Sequence, residues 1–257
     1  MTNQYMNQLQ TGKAMENNQK YPMSFASNAK TQLLFVWCGP AAMVMWLVGF
    51  LGFAGFVPPL SPSASAQEIQ RFYQANATMI RVGLCFTIMG ATLIGPFVAA
   101  LSVQLKRIEG FHSPAANAQL GLGVLVILLF TVPCFMLGTA AFRPERDAEL
   151  ILLLNDASWI PFVGGFQTTF IQLLAITACI LAHPEQKILP RWVGFYCFWT
   201  ALLCAGGALI LFFRKGPFAW DGLIGFWLVV VVYCSWFLVM FWVLRKAILN
   251  QALESGE

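Results

Sequence analysis

Charged residues are confined to narrow bands along this chain. The stretches 31–67, 82–105, 110–142, 157–184, 192–213 and 222–244 contain no Asp, Glu, Lys or Arg. Each is longer than the roughly 18 apolar residues that carry a helix across a hydrocarbon core of about 30 Å. The pattern predicts an all-α polytopic membrane protein, a bundle of six transmembrane helices over 32–57, 77–104, 120–142, 159–182, 192–213 and 221–244, within a transmembrane domain of 31–246.

Turn and cap residues between the stretches sharpen these limits. Pro58-Pro59 and Ser61-Pro62 end the first span, and Ser65 followed by Glu68 has the capping-box spacing that opens a helix. Ile69, Phe72 and Tyr73 share one face of that helix, which predicts a short outer amphipathic helix feeding the second span. Pro96 predicts a bend in the second span and Pro133 a kink in the third. Asn155-Asp156 interrupts the run before the fourth span, so Ser158 is expected to cap that span and Leu150–Leu154 to form an interfacial turn. Asp221 is the expected cap of the sixth. Gly39, Gly49, Gly52 and Gly55 on the first span let another backbone approach closely, which drives helix association where lipid supplies no hydrophobic force.

Composition adds the two ends. The chain is 58% hydrophobic and 10% charged, against about 25% charged in soluble domains, so its 257 residues form one membrane domain. Residues 1–30 are rich in Asn and Gln and bury too little surface to order themselves, which predicts a disordered tail. Residues 247–257 are expected to form a second tail. With six spans, Lys13, Lys20, Lys30, Lys106, Arg107, Lys187, Arg191, Arg245 and Lys246 share one side of the membrane, nine basic residues against five acidic ones. Arg71, Arg81, Arg143, Arg146, Arg214 and Lys215 lie on the other, six against six. The positive-inside rule then puts both termini, and so both tails, in the cytoplasm. The net charge of +4 reports orientation here, and no nucleic-acid partner is expected.

Little chemistry stands out against this background. No nucleotide-binding glycine loop, GxSxG elbow or paired intramembrane carboxylates occur, and the seven cysteines are scattered through the apolar runs without a CxxC. No catalytic, cofactor-binding or metal-binding residue is assigned, and the chain reads as a non-enzyme without cofactor. Two polar features remain. Thr168, Thr169 and Gln172 recur at helical spacing with Gly165, Ala175 and Cys179, forming a polar stripe that must face the bundle, either as the lining of a cavity or as interhelical hydrogen bonds. Arg81 and Asp156 each lie about one turn from a span boundary on the outer side and are candidates for an outer ion pair.

Five boundary strings, Trp37-Cys38-Gly39-Pro40, Lys106-Arg107-Ile108-Glu109-Gly110, Phe142-Arg143-Pro144-Glu145-Arg146, Pro190-Arg191-Trp192 and Lys215-Gly216-Pro217-Phe218-Ala219-Trp220, carry a resemblance. The chain is similar to a group of uncharacterised bacterial multi-pass, six-span inner-membrane proteins with no assigned activity. That resemblance implies a bacterial inner (plasma) membrane and brings no functional residue with it. The expected function is that of a non-enzymatic accessory or assembly subunit working through membrane lipids and a membrane-protein partner or homo-oligomer. The alternative is a small transporter or channel for a neutral or lipophilic solute.

Overall fold

The computed structural model describes residues 28–110 and 112–254. Most of the expected N-terminal tail, residues 1–27, lies outside the described residues, as do 255–257. The described residues are helical and contain no strand. Six helical segments are long and apolar enough to cross a membrane, making this a multi-pass transmembrane protein.

The first span is α1 (Ala29–Trp46), which continues as a π-helical turn over Leu47–Phe53. The second is α2 (Ala66–Thr92) and α3 (Ile94–Glu109), the third α4 (Pro114–Phe142), and the fourth α5 (Ala148–Gly164) with α6 (Gln167–Ala182). The fifth is α7 (Arg191–Cys204), which tightens into a 3₁₀ segment over Ala205–Leu211. The sixth opens with a π-helical turn, Leu223–Leu228, and becomes α8 (Val229–Glu254).

Local chemistry explains where these elements start and stop. The Ser65 capping box is present in full, and the helix it opens runs unbroken from the expected outer segment into the second span. The second span, Ala66–Glu109, has 44 residues. At 1.5 Å per residue it would measure roughly 66 Å, so its ends stand outside the hydrocarbon. The bend falls at Thr92–Ile94 because Pro96 has no N–H to give to the Thr92 carbonyl four residues back. The third span starts at Pro114, inside the charge-free stretch 110–142 and ahead of the expected start at 120. Ser113 caps it, Pro114 takes the first helical position, and Glu109 accepts hydrogen bonds from the Ser113 hydroxyl and the Ala115 N–H.

Three boundaries differ from expectation. Leu150–Leu154 is not an interfacial turn, and Ser158 is not a cap: Asp147 caps a helix that already contains both, and the Ser158 hydroxyl bonds back to the Leu154 carbonyl. Asn155 does not break this helix because its buried carbonyl accepts a hydrogen bond from the Tyr73 hydroxyl at 3.2 Å. Residues 247–254 are not tail. Leu244, Ala247, Ile248 and Gln251 continue the buried stripe of α8 at helical spacing, leaving Arg245 and Lys246 exposed beside it. At the other end of that span Gly222, not Asp221, precedes the first turn.

The third span is the hub, since α4 packs against α2, α3, α5 and α6, while α1 packs against α8, α2 and α3. Two cores result. One lies towards the face where Gln32, Gln104 and Gln251 meet, called here the terminal face, and includes Val36, Phe97, Leu101, Ile176, Phe237 and Leu244. The other lies towards the far face and includes Phe56, Ile69, Tyr73, Trp159, Trp220 and Phe226.

Candidate functional site

Four of the six spans abandon regular α geometry in the far half of the bundle. In the first, the Ala54 N–H bonds to the Gly49 carbonyl five residues back, at 2.9 Å. The turn is held against α2 by a backbone approach so close that a Cβ built on Gly83 would lie 2.3 Å from the Gly49 oxygen. The fourth span stops at Gly164-Gly165 and restarts at Gln167. Its broken end meets the 3₁₀ segment of the fifth, where a Cβ on Gly207 would sit 2.6 Å from the Val163 carbonyl oxygen. The same segment meets the π turn of the sixth through Gly206 and Ile224. Irregular backbone at membrane depth is tolerated where it is buried in protein or lines a cavity.

A cavity of about 180 Å³ lies among these interruptions, between the two cores. Leu47, Gly165, Cys204 and Phe226 bring lining from the four interrupted spans, and α4 adds Val126, Leu129 and Phe130. One wall is aromatic and continuous. Trp46 stacks on Phe130 at 4.5 Å between ring centroids, Phe130 meets Phe162 edge-on at 5.2 Å, and Phe162 stacks on Phe50 at 5.2 Å. The Trp46 N–H is turned away, towards Gly90 on α2, and has no hydrogen-bond partner. Leu47 and Val230 line the cavity and are also 55% and 36% exposed. The lining therefore reaches the flank of the bundle at Leu47 on the first span and Val230 on the sixth, where the surroundings of a spanning helix are hydrocarbon.

The polar side of the cavity is small. Thr169, 8% exposed, and Tyr233 both line it, and their hydroxyl-bearing side chains lie within interaction reach of each other. No Asp, Glu, Lys or Arg contributes to the lining. Among the described residues, no three His, Cys, Asp or Glu side chains gather within reach of one metal ion.

Of the expected polar stripe, Gly165 and Thr169 reach the cavity, and Thr169 is the one that brings a polar side chain. The Thr168 hydroxyl is buried without a hydrogen-bond partner. Gln172 lies buried one turn nearer the terminal face, packed where α6 crosses α4: a Cβ on Gly123 would fall 2.6 Å from its Nε2. Arg81 and Asp156 are not brought into an ion pair. The Arg81 guanidinium donates to the Ala77 carbonyl at 3.1 Å and to the Thr78 hydroxyl at 3.2 Å, while the Asp156 carboxylate accepts from the Asn155 amide at 3.4 Å. Arg81 is exposed and Asp156 half-buried, and each is satisfied locally.

The strongest polar constellation was not visible as one in the sequence. At the terminal face the Gln104 amide donates to Gln32 at 2.7 Å and to Gln251 at 2.9 Å. Arg107 donates to the Gln104 carbonyl at 2.8 Å and reaches the Glu254 carboxylate at 3.2 Å. All three glutamines are buried. They join the first, second and sixth spans, and the Gln104–Arg107 spacing of three residues is the one local signal that pointed there.

No protein-family model, curated protein or solved structure matches the chain.

Proposed function

We propose that this protein is a non-enzymatic carrier that takes a small lipophilic solute directly from the bilayer into its interior. The observation that carries the reading is the apolar cavity whose lining reaches the flank of the bundle at the exposed Leu47 and Val230. Two further features favour it over an accessory or assembly subunit. Gly39 and Gly49, which could have formed an outward groove for a partner helix, are buried against Phe97 and Gly83 inside the bundle. Four spans also give up regular hydrogen bonding around the cavity, and broken helices of this kind surround solute sites in membrane carriers. A polar solute fits poorly, because the lining lacks charge and Gln172 stands apart from it. The proposed setting is a bacterial inner membrane with both termini cytoplasmic, supported by the excess of basic residues on the terminal side.

The test is equilibrium binding of toluene to the full chain in lipid nanodiscs. Saturable uptake of one toluene per chain above that of empty nanodiscs is expected. Val230→Trp, which adds bulk to the lining from an exposed position, should weaken it by about tenfold. Uptake that never saturates, or that ignores this substitution, would remove the basis for this reading.

A further inference from the structure

The cavity also constrains what it holds, and this step rests on the carrier reading. Its volume of about 180 Å³ is slightly larger than the roughly 150 Å³ apolar cavity known to hold one benzene. One six-membered ring with one or two small substituents fits within it. The Trp46–Phe130–Phe162–Phe50 wall supplies edges and faces suited to a flat ring. Against it stand Thr169 and Tyr233, hydroxyls that can each donate and accept. A purely apolar ligand leaves those hydroxyls without a new partner, so a ligand with one hydroxyl or carbonyl gains a hydrogen bond that lipid tails cannot offer it. A carboxylate is excluded on the opposite ground. With no cation in the lining, an ionised group there would be buried unpaired.

We infer that the cavity is a binding site for a neutral single-ring lipophile bearing one hydroxyl or carbonyl, oriented by the Thr169–Tyr233 hydroxyl pair. Thr169 belongs to α6 just after the helix break, and Tyr233 to the second turn of α8. The pair therefore reaches from the fourth span to the sixth, and a ligand bonded to both is held by two spans at once.

Three probes on the full-length protein in nanodiscs test this: toluene, 4-methylphenol and 4-methylbenzoate, each compared with its uptake by empty nanodiscs. After that correction, 4-methylphenol is expected to bind about tenfold more tightly than toluene, the worth of one buried hydrogen bond, and the benzoate not to bind. Thr169→Val, nearly isosteric, and Tyr233→Phe should each narrow the gap between 4-methylphenol and toluene, read as the ratio of the two affinities in the same variant. Using two variants guards against one of them misfolding, and saturable toluene binding reports a cavity that is still present. If toluene and 4-methylphenol both saturate equally and neither variant matters, the inference about the hydroxyl pair is overturned while the carrier reading stands. If neither ligand saturates, the carrier reading itself fails. Saturable binding of the benzoate would overturn the neutral-ligand assignment.

Discussion

The two halves of this bundle solve the same packing problem in different ways. In the terminal half the helices are regular apart from the bend at Thr92–Ile94, and the core is filled by interlocking aliphatic and aromatic side chains, with a polar node, Gln32–Gln104–Gln251, joined by amide hydrogen bonds. In the far half four spans are wound as π or 3₁₀ segments or are broken, glycines press backbone against backbone, and a cavity is left among aromatic rings. Hydrogen bonds between buried amides hold helices at a fixed spacing and orientation. Glycine contacts and aromatic walls leave space, and space is what a ligand requires. The contrast underlies the proposal that one half holds the bundle rigid while the other binds.

The sharpest way to break that contrast is at the crossing of the first and second spans. Gly83→Val would place its Cβ 2.3 Å from a backbone oxygen and 2.8 Å from the Ala54 nitrogen. Neither atom can move without unwinding the π turn, so a loss of about 3 kcal/mol or more is expected. Thermal unfolding in detergent should show it, together with loss of toluene binding. A milder blow falls on the terminal half. Gln104→Leu strands the side-chain acceptors of Gln32 and Gln251 and costs roughly 2–4 kcal/mol. Protein that remains folded should keep its toluene affinity, and if it did not, the division between a binding half and a structural half would be wrong. The smallest effect belongs to the edge of the node. Glu254→Gln removes an ion pair whose carboxylate is mostly exposed, and a change of about 0–1 kcal/mol in unfolding free energy is expected, with binding unaffected.

The spans themselves were legible because charge is excluded from hydrocarbon, and the exclusion leaves a mark that needs no partner to interpret. Helix ends were readable where the signal was local, as with Ser65 and Glu68, and misleading where it was not. Asn155 looks like an interruption until Tyr73, 82 residues away in sequence, supplies its hydrogen bond. The end of the last helix was hidden by Arg245 and Lys246, since a pair of charges marks a membrane boundary without marking a helix boundary. Of the site, the sequence exposed Thr169 through its stripe but could not show that Tyr233 faces it, because that proximity depends on how the fourth and sixth spans cross. The cavity is a property of glycines on four spans acting together. Each of them, taken singly, is only a small residue in an apolar run.

The glutamine node has a consequence for how the chain is made. Gln32 and Gln104 leave the ribosome before Gln251, and in the meantime Gln104 pairs with Gln32 and Arg107. Gln251 arrives with the sixth span, so the third corner closes only after the other five spans have been made. Until then the Gln104 amide has an unspent donor in a setting hostile to it. A chain truncated before Gln251 retains that defect, and so differs from one in which the sixth span has closed the node.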